Sequence, residues 1–298
     1  MRYSESTLQA WTAPLSLTEE KRVENTIRMI RDAIKSSEEL SDCTIEVFAQ
    51  GSYANNTNVR QNSDIDVCVM LTSTFYAEYV NGKTREDYGF LAGGMKYSEY
   101  KAKVFNALVK KFGLPTLSLG NKSIKIASNS YHVNADVVPA MQYRDYRIIN
   151  SVDPNRFVEG IQFTAKDNST VINYPKIHIS NGKEKNVATN HEYKKLVRIM
   201  KHVRNDMVDC GLVDGEIYSS FLMECLIWNI PNNEIEKFDT WTMKLRNAIY
   251  FLWKEINDGN FSDWGEVSEC LYLFRGRKWN ALGTMQFLQS MFDYLKFE

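Results

Sequence analysis

The sequence predicts an α+β fold, with a mixed α/β half over residues 1–175 followed by an all-helical half over 176–298. Three observations lead there. Short segments of alternating apolar residues, two of them carrying carboxylates, lie in the first half. Apolar residues recur at helical spacing through the second half, where no strand signal of comparable quality appears. A chain of 298 residues with 44% hydrophobic residues has ample core for one large domain or two packed ones.

Taken in order, Thr18 is placed to cap a helix over 19–36 whose stripe is Val23, Ile27, Ile30 and Ile34. Residues 44–49 alternate weakly and read as a strand running into Gly51, and the next strand covers 65–71. Residues 97–112 carry Tyr100, Val104, Leu108 and Phe112 on one helical face, and Gly113-Leu114-Pro115 stops that helix. Two strands follow over 117–127 and 131–143. Residues 164–190 are polar and read as an irregular connector that also touches substrate. Helices are expected over 191–208, 217–230, 239–257, 263–274 and 282–296. There is no internal repeat and no low-complexity tract.

The chemistry sits in the run from Gln50 to Met70. Gly51-Ser52 is followed twelve residues later by Asp64-Ile65-Asp66. Side chains at i and i+2 of a strand point the same way, so Asp64 and Asp66 share a face while Ile65, Val67, Val69 and Leu71 bury the other. Two neighbouring carboxylates repel unless a cation lies between them, and Mg²⁺ suits a site of few oxygen ligands. A lone Asp-x-Asp is ordinarily a solvated strand end; the upstream Gly-Ser and the apolar strand give this one its weight. Glycine lets the backbone approach a phosphate, and the Ser52 hydroxyl with nearby N–H groups can donate to phosphate oxygens. A third carboxylate, Asp136, lies in Tyr131-His132-Val133-Asn134-Ala135-Asp136-Val137, where His132, Asn134 and Asp136 alternate against Val133, Ala135 and Val137. Two strands side by side would bring it to the first pair, making a two-ion site. In the helix at 191–208, Lys194, Arg198 and Lys201 form a cationic stripe beside an apolar one. That stripe suits either a cleft that meets a triphosphate or a basic solvent face.

Gly51-Ser52, Asp64-x-Asp66 and Asp136 together resemble the polymerase-β-like nucleotidyltransferase superfamily. Later segments are similar to bacterial cyclic GMP-AMP synthase/DncV-like nucleotidyltransferases (CD-NTases), closest to the E-type, CdnE-like branch. They are Ile172-Asn173-Tyr174-Pro175-Lys176, Asn181-Gly182, Lys185-Asn186 and Thr189-Asn190, then Tyr193 to Lys201, and Ser220-Phe221-Leu222-Met223-Glu224-Cys225-Leu226-Ile227-Trp228-Asn229. The resemblance implies a polymerase-β-like core with a long amino-terminal helix packed on a carboxy-terminal helical domain that completes the nucleotide cleft. It implies two Mg²⁺ ions, with Mn²⁺ able to substitute, held by Asp64, Asp66 and Asp136. It places Lys201 and Ser220 on the triphosphate tail and Phe221 against a base, although Phe221 suits a core position equally well. It makes Asn173 a reader of a pyrimidine edge, through a carboxamide that both donates and accepts; Asn before Tyr-Pro is also a common turn element. The implied product is a cyclic dinucleotide second messenger containing uridine, made from UTP and/or ATP for anti-phage defence (CBASS) and sensed by a separate effector protein.

Composition sets limits. A formal charge of −1 argues against a constitutive nucleic-acid binder, so no obligatory nucleic acid is expected. Five cysteines without metal-type spacing read as reduced core residues of a cytoplasmic protein. No signal segment and no membrane-crossing run is evident. Oligomeric state stays open, a monomer included. Three alternatives compete: an enzyme adding nucleotides to an RNA or protein acceptor, a sensor switched on by double-stranded nucleic acid, and a catalytically dead nucleotide-binding scaffold.

Overall fold

The computed structural model describes residues 1–14, 17–59, 64–276 and 278–297. The chain divides into two units, each with its own core. One comprises Ser16–Ala54 and Arg60–Lys176, and the other Met1–Leu15, Asn55–Val59 and Ile177–Glu298. The division is therefore not a single cut after residue 175, because the first helix, α1 (Glu5–Trp11), and a five-residue loop belong to the helical unit.

The first unit starts with α2 (Leu17–Lys35), so Thr18 lies inside the first turn instead of before it. Ile30 and Ile34 on its predicted stripe are buried, as is Val23, and Ile27 packs at the edge. The strand β1 (Ile45–Gln50) runs into the one-turn helix α3 (Gly51–Ala54), and β2 (Ile65–Glu78) returns antiparallel to β1. The predicted strand 65–71 is thus the first half of a longer one, which shifts register between Leu71 and Phe75. The helix α4 (Tyr97–Phe112) has the predicted bounds and buries Tyr97, Tyr100, Val104 and Leu108. Gly113 follows it at φ 85, a conformation that favours glycine.

The single strand read over 117–127 is a hairpin of β3 (Leu117–Leu119) and β4 (Ile124–Ile126), and the next strand is β5 (Ala135–Asp145). The irregular connector is also wrong. Strands β6 (Val158–Thr164) and β7 (Thr170–Asn173) form a second hairpin, and α5 (Pro175–Ala188) fills most of what remains. The sheet order is β1-β2-β5-β4-β3. The first residues of β5 pair with β4 and its last ones with β6, so β5 carries both hairpins on one edge. β2 and β5 run parallel at the centre, and buried residues from both (Val67, Val69, Leu71, Val137, Ala140) join α2 and α4 in one apolar cluster.

The second unit is helical: α5 from Ile177 onward, α6 (Glu192–Asp209), α7 (Ser220–Trp228), the short α8 (Asn232–Ile235), α9 (Trp241–Asn257) and α10 (Ala281–Leu295). α1 docks here, because the Glu5 carboxylate accepts from the Trp241 and Thr242 N–H groups at the start of α9, where an acid is favoured. Residues 263–274 are not a helix; Gly265 and Tyr272 bridge instead, with Glu269 at φ 59. Lys194, Arg198 and Lys201 do not form a solvent-facing stripe, since all three are buried around the central α6. Of the five cysteines, Cys68 and Cys225 are buried and Cys210 is exposed, so the core reading fails for Cys210. Burial pushes the Cys68 thiol well up, which makes it inert at neutral pH. No helix among the described residues is long and apolar enough to cross a membrane.

Candidate active site

Strand register assembles the acidic centre. β1 places Gln50 opposite Asp66, and the parallel pairing of β2 with β5 places Asp66 opposite Asp136. Asp64 lies one residue before β2. Beyond these acids the strand enters the core, with Cys68 and Met70 fully buried on the face that Asp64 and Asp66 occupy at its mouth. The acids are thus held at the start of two central strands by the apolar residues that follow them.

Gly51 sits at φ 69, and a Cβ there would fall 2.2 Å from Asp66 Oδ2. Conformation and space both demand glycine at this point. Ser52 is half-buried in the first turn of α3. On the other side of the centre, β4 puts Lys125 opposite Asp136. The Lys125 Nζ lies 3.8 Å from Asp64 Oδ2 and 3.6 Å from Asp136 Oδ1. Asp136 Oδ1 is buried and has no hydrogen-bond partner among the described residues. A cavity of about 260 Å³ opens beside Asp64 and Lys125, lined also by Thr116, Ser118, Ala127 and Asn134.

A divalent ion fits this donor set. The side chains are hard oxygen donors, one buried oxygen lacks a hydrogen bond among the described residues, and the Lys125 ammonium stands off from two of the three acids at 3.6 and 3.8 Å. Among the described residues, no three Asp, Glu, His or Cys side chains already converge as a finished metal cluster. Register sets Asp66 beside Asp136, and Lys125 lies against Asp136 and Asp64.

Asn173 ends β7, half-buried and opposite Ile161. Its carbonyl lies against Gly160, where a Cβ would approach to 2.9 Å. The remaining predicted residues lie in the helical unit. Ser220 opens α7, but the cap is Ser219, whose hydroxyl accepts from the Leu222 N–H. Phe221 is 37% exposed and stacks on Trp279 at 5.9 Å, with the His178 ring 5.5 Å away. It is therefore a surface aromatic and not a core residue.

Lys201 is 1% exposed, and its ammonium is committed internally. It pairs with the Glu224 carboxylate and donates to the Thr57 carbonyl and hydroxyl at 3.1 Å each. His178 Nε2 lies 3.0 Å from the other Glu224 oxygen. Burial by itself would raise the Glu224 carboxyl; the Lys201 ammonium and the His178 contact outweigh it and hold the carboxyl far below the usual range. Arg198 donates to the carbonyls of Thr12 and Asn56. Triphosphate contact by Lys201 would require the ion pair with Glu224 to open.

The comparisons with known proteins agree with this architecture. A nucleotidyltransferase-domain family profile matches residues 27–152, and that of the cGAS/DncV-like nucleotidyltransferase C-terminal helical domain matches residues 180–296. A cyclic dipyrimidine nucleotide synthase, CdnE, of Cecembia lonarensis is 42% identical over 298 residues, 99% of each chain. The chain belongs to the CdnE-like CD-NTases. It is an enzyme of the nucleotidyltransferase class. Two solved structures of CdnE-like enzymes are similar throughout. That of the Elizabethkingia meningoseptica cyclic dinucleotide synthase, with GTP and Apcpp, has a TM-score of 0.83 at 32% identity and covers 99% of this chain and 100% of its own. That of the Rhodothermus marinus c-UMP-AMP synthase, with Apcpp and Upnpp, has a TM-score of 0.86 at 28% identity and covers 98% and 96%.

Sequence reasoning missed Lys125, Glu224, His178 and Trp279 in this CdnE-like chain. Two signals were present. Glu224 is the only charge in the apolar run from Phe221 to Trp228, a position that demands a buried partner. Lys125 is the polar residue between Ile124 and Ile126, which places it on the face opposite their buried side chains.

Proposed function

We propose that this enzyme joins two nucleoside triphosphates and closes them into a cyclic dinucleotide containing at least one uridine. The observation that carries the reading is the register of Asp66 opposite Asp136, with Gly51 holding open the space that the Asp66 carboxylate fills. Asp64, Asp66 and Asp136 would hold Mg²⁺, with Mn²⁺ substituting; bound there, it would supply positive charge against the phosphates and lower the pKa of the attacking hydroxyl. Ser52 donates to the donor triphosphate from the turn that Gly51 opens. A ribose hydroxyl of the second nucleotide attacks the α-phosphorus, the new O–P bond forms, and the α–β phosphoanhydride bond breaks. Pyrophosphate leaves with the bonding electron pair, and Asp136 accepts the hydroxyl proton. The linear product then presents its own 5′-triphosphate, and a second displacement of the same kind closes the ring. Orientation and electrostatics suffice, and no covalent enzyme intermediate is needed.

Support for a pyrimidine comes from Asn173, a half-buried carboxamide at a strand end, and from the relatives named for dipyrimidine and UMP-AMP products. The product would serve as a cytoplasmic second messenger in anti-phage defence, read by a separate effector. The deciding experiment incubates the purified protein with all four ribonucleotides and Mg²⁺ and identifies the product by mass spectrometry. A phosphatase-resistant cyclic dinucleotide containing uridine is expected. A purine-only ring would discard the role of Asn173, and growth of an added RNA or protein acceptor without a small product would overturn cyclisation.

Gly51→Ala is expected to lower turnover by roughly 10²-fold, because a Cβ forces the Asp66 carboxylate aside and misplaced catalytic groups lose that order of rate. The positive φ adds about 1 kcal/mol of strain to the folded state. Initial rates of pyrophosphate release and a melting curve check the two effects separately; near-wild-type turnover would remove Gly51 from the site.

A further inference from the structure

We infer that Lys125 is a tethered counter-ion of the acidic centre, competing with the divalent cation for the oxygens of Asp64 and Asp136. The inference rests on the metal-centre reading above. Antiparallel register fixes Lys125 opposite Asp136, and the buried flanking residues Ile124 and Ile126 anchor β4 so that Lys125 projects from the opposite face. Its ammonium stands 3.8 Å from Asp64 and 3.6 Å from Asp136, beyond the usual 2.7–3.2 Å span of an N–H···O bond. A lysine serving the fold closes that gap. Lys176 in the same unit binds Glu46 at 2.6 Å and Glu159 at 2.7 Å. Lys125 instead screens two acids without saturating them, and Asp136 Oδ1 keeps no hydrogen-bond partner among the described residues. Its side chain is 49% exposed, so it can swing into solvent when a cation with real oxygen affinity arrives.

The consequence is a metal requirement set partly by this lysine. Before loading, Lys125 relieves repulsion among the acids; on loading, a positive charge about 4 Å away opposes the incoming ion and has to be moved. Removing that charge while keeping the aliphatic stem should tighten metal binding by roughly tenfold, from the size of such a Coulomb interaction in a water-like dielectric.

The test is a Mn²⁺ titration of the full chain without nucleotide, with free Mn²⁺ read by electron paramagnetic resonance. Lys125→Met should bind Mn²⁺ roughly tenfold more tightly than wild type, Lys125→Arg should return the affinity to near wild type, and Asp136→Asn should lose it. In chelator, the melting temperature of Lys125→Met should fall below wild type, and added Mn²⁺ should raise it by more. Unchanged or weaker Mn²⁺ affinity in Lys125→Met, with Asp136→Asn still abolishing binding, would overturn the competition while leaving the metal centre standing. No Mn²⁺ binding by wild type or Lys125→Met would overturn the metal centre itself, and the competition with it.

Discussion

Turnover is expected to vanish when Asp64 and Asp66 are both replaced by alanine, and Asp136→Asn alone should cost at least about 10²-fold, the scale of losing one major electrostatic stabiliser. The fold should survive. Asp64 and Asp136 are partly exposed, so neither replacement opens a hole in the apolar core. Stability should hold or rise, because neighbouring acids at the mouths of adjacent strands repel one another, and Lys125 stands 3.6 Å from Asp136 and 3.8 Å from Asp64 without closing a hydrogen bond to either. Rate of pyrophosphate release, far-ultraviolet circular dichroism and melting temperature decide the matter together. A double alanine variant that melts like wild type yet keeps a rate within about tenfold of it would remove the carboxylates from the chemistry.

The acids were legible because their placement depends on local pattern. Alternation fixes the face of Asp64 and Asp66, and the apolar residues from Ile65 to Leu71 fix the depth of the strand. α4 was equally plain, with a clean apolar stripe and a Gly-x-Pro stop. What failed depends on partners distant in sequence. α5 has almost no amphipathic pattern, with Ile, Ser, Asn and Gly through its first turns, and is held from outside: Asn181 donates to the Val267 carbonyl and Lys185 to that of Ile230. The segment 263–274 spaces Trp264, Val267 and Phe274 like a helix, yet the Glu266 N–H donates to Leu271 and the chain doubles back. The basic stripe of α6 misled for the same reason. Its anions and carbonyls are Glu224, Thr57, Asn56 and Thr12, none of which lies on α6 itself.

That buried cluster carries the largest expected effect on stability. Glu224→Ala should cost about 3–5 kcal/mol, since it strands the Lys201 ammonium in an interior where it is 1% exposed. Lys201→Met should cost less, because Glu224 keeps its contacts with Thr57 and His178. The pair Lys201→Met with Glu224→Leu should recover much of the loss, a coupling of about 0.5–3 kcal/mol in a double-mutant cycle. All six tryptophans lie at positions 11 and 228–279, within the helical unit, so their fluorescence during denaturant unfolding reports that unit alone. Acid supplies an independent check. The folded Glu224 carboxyl is depressed, so its stabilisation is complete above the unfolded value of about 4.3 and is lost as pH falls through the lower folded value. The stability gap between wild type and Glu224→Gln should therefore narrow below about pH 4.3 and stay constant above it. If Lys201→Met instead left the unfolding curve unmoved and weakened nucleoside triphosphate binding, the ammonium would belong to the triphosphate and the internal pair would be incidental.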